Sequence, residues 1–354
     1  MVSVSQLGMQ KAKYELVHEF PGGQIETAWR DLLSRLAIPS HYDAPEYFLE
    51  PFWVGKRPFA VLALVGGRAI AVATGIHRGG DMICGLPVRP QIAVSEETDK
   101  NAALEMLLKG LLEEARDAKT ITVYSWPSLD LASFVEYGFS SRQMLGSVVL
   151  DLTLGAEALF QQFSKDRRRN IRFAEKNGVT VRLATGHQDF LRAYDVYLTW
   201  VDAKATKLKG QRRTFQKFES AQQLSNRKLF VAEHSGKVIA INTFRFYPSG
   251  LFESAANYSL EEFLHLKPND LLQWGGIEWA CKNGLRRHSL GGAHSFLVRF
   301  GGTTVPVIRY RLDRTFLHRH EFREKLEAAA RKTLLRVPSS IQAKVRRRLD
   351  RAGG

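Results

Sequence analysis

Residues 64–74, Leu-Val-Gly-Gly-Arg-Ala-Ile-Ala-Val-Ala-Thr, return 169 positions later as Glu-His-Ser-Gly-Lys-Val-Ile-Ala-Ile-Asn-Thr at residues 233–243. Gly67/Gly236, Ile70/Ile239, Ala71/Ala240 and Thr74/Thr243 are identical. Each copy places apolar runs on both sides of a two-residue turn, Gly66-Gly67 in one and Ser235-Gly236 in the other, and so reads as a β-hairpin. The same offset carries the helical pattern of residues 101–115 onto residues 270–284. The repeat therefore extends past a single turn motif, and the chain reads as one fold used twice.

Working outward from the first hairpin, the pattern predicts a turn at Arg78-Gly79-Gly80, a short strand over 82–86 and a helix over 98–117 capped by Thr98 or Asp99. A strand over 120–125, a helix over 129–137 ending at Gly138 and a long strand over 142–152 follow. The second half opens with helices over 156–163 and 165–177, the latter stopped by Gly178 in the position of a left-handed cap. Next come a strand over 179–183, helices over 187–203 and 214–224, the second hairpin and a strand over 251–258. The loop Lys267-Pro268-Asn269, the helix 270–284 and a closing strand over 305–312 complete it. The expected class is α/β (α+β): two tandem lobes, residues 1–153 and 154–316, each a mixed sheet flanked by helices, then a basic helical tail, residues 317–354. Catalysis is expected in the second lobe.

Of 354 residues, 44% are hydrophobic and 25% charged, the balance of a globular chain with real cores. No apolar run approaches the roughly 20 residues of a membrane span, and residues 1–13 lack the apolar centre of a secretory signal. A cytoplasmic chain is expected, peripheral at the inner face of the membrane if its tail binds lipid. Cys84 and Cys281 sit in apolar contexts that suit small buried hydrophobes, so no cysteine-based metal site is expected.

Charge is the strongest compositional signal. Fifty-one Lys and Arg face 36 Asp and Glu, a formal +15, which favours nucleic acid, nucleotide or phospholipid partners. Residues 164–172, Ser-Lys-Asp-Arg-Arg-Arg-Asn-Ile-Arg, hold five basic residues and one acid. The tail holds eleven basic residues and four acids.

Three segments carry a family resemblance. Residues 163–181, Phe-Ser-Lys-Asp-Arg-Arg-Arg-Asn-Ile-Arg-Phe-Ala-Glu-Lys-Asn-Gly-Val-Thr-Val, resemble the signature helix of the Fem-type aminoacyltransferases and of their cellulose-biosynthesis acetyltransferase-like (CelD-like) relatives. Residues 268–280 and 290–301 are similar to the Pro-led helix and the closing glycine-aromatic motif of that superfamily. The resemblance spans most of residues 40–315 and implies tandem GNAT acyltransferase lobes. Two departures matter. The Gly-rich acyl-CoA signature is missing before Asp270, and Leu297 stands where the Fem motif Phe-Lys-x-x-Phe-Gly has lysine. If residues 296–301 form a strand, Arg299 shares a side with Leu297 and substitutes for the lysine.

On the helix over 165–177, Lys165, Arg168, Arg169 and Arg172 recur at spacings of three and four, a cationic stripe that either binds a phosphorylated substrate or is a solvated face. Acyl transfer needs a backbone N–H for the acyl carbonyl and a group to take the acceptor's proton. The resemblance implies that the strand 251–258 does the first job, with the small residues Ser254 and Ala255 beside the donor. Glu253 is a candidate base or an arginine's ion-pair partner, and His294 in its glycine-rich loop is a second candidate. Lys267, Asn269 and Asp270 open a helix whose first-turn amides suit donor phosphates, and Arg299 joins the substrate-binding set.

Three functional classes follow. The first is an acyl-CoA-dependent N- or O-acyltransferase, without metal, acting on an anionic small molecule or a glycan- or lipid-linked cell-envelope precursor. The second draws its acyl group from aminoacyl-tRNA. The third is a non-catalytic basic adaptor. In the tail, a helix over 317–334 is expected to dock the face of Phe322, Leu326, Ala329, Thr333 and Leu334 on the second lobe. A second helix over 339–349 would leave Arg346, Arg347 and Arg348 for an anionic membrane surface.

Overall fold

The computed structural model describes residues 12–50, 56–129, 132–203 and 212–334. The first half runs β1 (Ala12–Val17), α1 (Gly23–Ser34), β2 (Arg57–Val65), β3 (Arg68–Arg78), β4 (Asp81–Cys84), β5 (Ile92–Val94), α2 (Lys100–Glu114), β6 (Thr120–Ser125), α3 (Ala132–Glu136) and β7 (Ser140–Asp151). The second runs α4 (Ala156–Gln162), α5 (Lys165–Lys176), β8 (Thr180–Leu183), α6 (Gly186–Ala203), α7 (Phe215–Gln222), β9 (Arg227–His234), β10 (Lys237–Phe246) and β11 (Leu251–Ser259). It closes with α8 (Pro268–Lys282), β12 (Arg287–Ser289), α9 (Ser295–Val298), β13 (Thr303–Asp313) and α10 (Arg319–Leu334).

The repeated hairpins agree residue for residue. In β2/β3, Val65, Leu64 and Ala63 face Arg68, Ala69 and Ala71, which leaves Ile70 as the extra residue of a β-bulge. In β9/β10, His234, Glu233 and Ala232 face Lys237, Val238 and Ala240, and Ile239 is the extra residue. The identical isoleucines thus occupy the same irregularity. Both turn residues have positive φ in each copy, +58° and +81° at Gly66 and Gly67, +49° and +76° at Ser235 and Gly236. That backbone twists with the strands, which explains a glycine in each turn.

Among the described residues the strands form a single sheet in the order β1-β2-β3-β4-β6-β13-β7-β12-β11-β10-β9-β8, with β5 paired to β3. Read from its centre the order is symmetric: β13 mirrors β7, β6 mirrors β12, and the hairpins take matching places outward. Both β4–β6 and β11–β12 are parallel pairs, whereas the other pairs along this path are antiparallel. The central strands are exchanged. β13 comes from the second half of the chain yet pairs with β6, and β7 from the first half pairs with β12. Between them, β7 bulges at Gly146, where φ is +75° and any Cβ would lie 1.9 Å from the Val305 carbonyl oxygen. The seam expected at 153/154 falls on a short 3-10 turn, Leu152–Leu154.

Each half sheet has a core on both faces. In the first half α2 covers one, with Leu104, Leu107, Leu108 and Leu111 against β2, β3 and β6, and α1 covers the other through Trp29, Leu32 and Leu33. In the second half α4, α5 and α8 cover one face, and α6 and α7 the other.

α10 corrects the expected docking of the tail. Phe322 and Leu326 are 61% and 55% exposed, and the helix is held instead by its acidic side. Glu324 bridges Arg309 and Arg311 of β13 (2.7 and 2.6 Å), and Glu321 accepts a hydrogen bond from Ser140 of β7. The reason is electrostatic: half-buried and buried arginines on the sheet take the nearest carboxylates, and that rotation turns the apolar stripe outward. Asp313 fixes the first turn by accepting from the amides of His320 and Glu321 (3.0 and 3.2 Å). The expected second helix and Arg346, Arg347 and Arg348 lie outside the described residues.

Candidate functional site

α8 begins beside the far end of β11, beyond the Leu251–Glu253 stretch that pairs with β12. Its N-cap, Lys267, is left-handed at φ +60°, Pro268 occupies the first turn, and no side chain caps the helix. Ser259, the last residue of β11, donates a hydrogen bond to Asn269 (2.6 Å) and ties strand end to helix start. Around this start lies a cavity of about 270 Å³, lined by Arg167, Asn170, Leu264, Lys267, Pro268, Asn269, Asp270 and Phe296. Three of the expected donor-binding residues, Lys267, Asn269 and Asp270, are therefore brought together.

The residue that organises this cavity is Arg167, which the sequence stripe passed over. Its side chain is 9% exposed, pairs with Asp270, and lies 4.0 Å over the Phe296 ring. Asn170 adds a longer bond to Asp270 (3.4 Å). Burial pushes the Asp270 carboxyl up even though Arg167 pulls it down. The Arg167 Nε is buried with no hydrogen-bond partner. A signal existed: Arg167, Ile171 and Ala174 share one face of α5, and Ile171 and Ala174 are buried, so Arg167 is the cation at a core position.

The expected stripe is an outer surface. Lys165, Arg169 and Arg172 are exposed and Arg168 is half-buried. Arg168 donates to Gln161 (2.8 Å), Arg172 lies over the Phe160 ring, and Arg169 pairs with Asp166 (3.0 Å). Arg299 reaches the same Asp166 at 3.7 Å. The expected lysine substitution is corrected: residues 295–298 are helical, not a strand, so Leu297 is buried in the core while Arg299 stays exposed. Two residues apart on a helix they do not share a side.

Ser254 and Ala255 lie on the bulged part of β11. Thr243 faces Ala256 and Phe244 faces Ser254, so Ala255 opposes no residue of β10. From Ser254 a buried polar chain runs through the sheet to α8. Ser254 donates to Asn242 (3.3 Å), Asn242 to Gln273 (3.4 Å), and Gln273 meets His288 Nε2 (2.6 Å). His288 Nδ1 completes it at the Phe252 carbonyl (3.0 Å). Burial lowers His288 to about 4, against the opposing pull of that carbonyl. Nothing in sequence spacing joined these four residues.

Glu253 is placed elsewhere. Phe252 packs in the core with α8, and strand alternation turns Glu253 to the opposite face. There, 1% exposed, it meets Arg89 and accepts from Tyr42 (3.3 Å), in a cluster that joins His41, Tyr42, Glu50 and Arg89 of the first half to Arg227 and Arg245 of the second. Burial raises its carboxyl despite Arg89 and Arg245. It is an ion-pair partner across the lobe junction and does not line the cavity. His294 is exposed at the start of α9, its ring 6.2 Å from that of the cavity residue Phe296.

An uncapped helix N-terminus, an ammonium and a buried guanidinium give the cavity a positive balance against one carboxylate. This donor set fits a phosphate or diphosphate, since the amides and the helix dipole point the same way.

Residues 161–299 match the acetyltransferase (GNAT) domain family, and this segment includes α5, α8 and the polar chain. No curated protein matches the chain. Among solved structures, FemX is similar at a TM-score of 0.61, with 13% identity over 84% of this chain and 96% of that one. L-PGS from Bacillus licheniformis is similar at 0.56, with 12% identity over 84% and 93%. A tandem GNAT protein from the clavulanic acid biosynthesis pathway is similar at 0.55, with 14% identity over 86% and 99%. The chain has the tandem GNAT fold, and residues 161–299 in its second half are similar to the GNAT acetyltransferase domain family.

Proposed function

We propose that this tandem GNAT chain is an acyl-CoA-dependent N- or O-acyltransferase whose donor diphosphate binds at the start of α8. The observation that carries the reading is the cavity there, with Lys267, the uncapped helix and the buried, partly unpartnered Arg167. The tandem GNAT structure of the clavulanic acid pathway is described as being without acetyl-CoA, and that mention of the donor lends support to the same donor class here. In this reading Ala255 at the β11 bulge offers its backbone amide to the acyl carbonyl. The acceptor's amine or hydroxyl attacks that carbonyl directly, the thiolate leaves, and His294 takes the acceptor proton. The exposed Lys165, Arg169, Arg172 and Arg299, with the half-buried Arg168, suit an anionic acceptor such as a glycan- or lipid-linked cell-envelope precursor.

The second reading, transfer from aminoacyl-tRNA, draws support from the likeness to FemX and from the +15 charge, which suits a nucleic-acid backbone. The buried Leu297 weighs against it, because the family's lysine position faces the core. Calorimetric titration with acetyl-CoA, longer acyl-CoA and aminoacyl-tRNA separates the two. Acyl-CoA binding that weakens in Lys267→Ala supports the first. Absence of acyl-CoA binding together with salt-sensitive aminoacyl-tRNA binding replaces it with the second.

A further inference from the structure

α10 combines three observations that nothing in the acyl-transfer reading uses. Its outward side is apolar: Phe322 and Leu326, one turn apart, are 61% and 55% exposed, and Phe316 and Leu317 just before the helix are 75% and 74% exposed. Leu317 is also left-handed, at φ +57°, followed by His318 at +46°, so the backbone itself turns this leucine outward. Two of its acids, Glu321 and Glu324, turn inward and bond to Ser140, Arg309 and Arg311 on the sheet. Asp313, which caps the helix, is held below the usual carboxylate range, burial being outweighed by hydrogen bonds from Thr315, Glu321 and His320.

Beside this apolar surface, Arg319 and Arg323 are exposed. Residues 335–354 bring six more Lys and Arg and one Asp in sequence. An apolar stripe flanked by positive charge matches the surface of an anionic bilayer, whose acyl boundary takes the side chains and whose headgroups take the cations. A second copy of this chain fits less well, because an isologous contact would bring the two basic flanks together. We propose that Phe316, Leu317, Phe322 and Leu326 form a membrane-docking face that seats this protein on an anionic phospholipid surface.

The test is co-sedimentation of the full chain with phosphatidylcholine vesicles, with and without one-third phosphatidylglycerol, at low and high salt. The expected result is binding to the anionic vesicles, weakened by salt and reduced about tenfold for each apolar side chain removed in Phe322→Ser and Leu326→Ser. Leu154→Ser, an equally exposed leucine outside α10, should leave binding unchanged. Unaltered melting temperature checks that the variants fold. Equal binding by the Phe322→Ser/Leu326→Ser double variant overturns the proposal, as does equal binding to neutral vesicles or no binding to either. Loss of binding only when residues 335–354 are removed assigns the contact to that segment and overturns the role of α10. Conversion of a lipid-free dimer to a monomer by the double variant assigns the face to self-association and does the same.

Discussion

At the start of α2, Asp99 turns its carboxylate onto the amides of Asn101 and Ala102, at 2.9 and 3.4 Å. At the start of α8, the matching place in the other lobe, Lys267 stands left-handed before Pro268 and no side chain reaches back. One lobe fills its own helix terminus with a negative charge, while the other leaves it open beside two cations. The interiors differ in the same sense. Asn242 and Gln273, members of the buried polar chain, stand at the repeat offset opposite Ala73 and Leu104, both buried and apolar. Matching strand order and hairpin register therefore carry two different helix starts and interiors, and in the proposed reading the cap and the core polar groups distinguish the half that receives the donor.

The sharpest attack on that contrast is Arg167→Ala. Leaving Asp270 buried without its counter-charge should destabilise the chain by about 3–5 kcal/mol in urea unfolding, and should abolish donor binding. A variant as stable as the parent would mean that the pair is solvated and that the second lobe's site is not the built one.

His288 supplies the next largest effect, through pH. Its folded pKa of about 4 lies below the unfolded value near 6.5, so the unfolded chain takes up the proton first. The contribution is present above pH 6.5 and is lost as pH falls from there toward 4, about 3 kcal/mol in all. Urea melts of parent and His288→Leu across that window should show the parent with the steeper loss. Parallel pH profiles would remove His288 from the account.

Asn242→Ala should cost about 1–3 kcal/mol by leaving Gln273 and Ser254 short of a partner. The converse change in the other lobe, Ala73→Asn, should destabilise by a similar amount, because no polar chain awaits it there. If Ala73→Asn is neutral, the two interiors are less different than the contacts indicate.

The smallest and most discriminating pair concerns the caps. Asp99→Ala should cost about 1 kcal/mol of stability and leave acyl-CoA affinity unchanged. Lys267→Ala should stay within about 0.5 kcal/mol of the parent in stability and weaken acyl-CoA binding about tenfold. The opposite pattern, measured by calorimetry and denaturant melts, would exchange the roles of the lobes.

Much of this contrast was legible before the structure. Lys267, Asn269 and Asp270 were found from a Pro-led helix start, because capping chemistry is local. Arg167 escapes the stripe of its four neighbouring cations because the most regular basic spacing is also the most solvated, whereas Arg167 sits on the face of Ile171 and Ala174. A strand over residues 296–301 would put Leu297 and Arg299 on one side, but residues 295–298 form a turn of helix capped by Arg299. Short apolar runs carry no period long enough to separate the two. Glu253 looked like a base from its strand, but its neighbours Arg89 and Tyr42 lie more than 160 residues away in sequence.

The sequence by itself determined the hairpins and their two-residue turns, the helix ends and the charge excess, since turn geometry, capping and alternation act within a few residues. Only the tertiary structure decided that β13 crosses to β6 and β7 to β12, that Ser254, Asn242, Gln273 and His288 join, and that α10 shows its apolar side to solvent. Those outcomes depend on which surfaces meet after long loops close. There, buried arginines and exchanged strands compete for partners that no local pattern identifies.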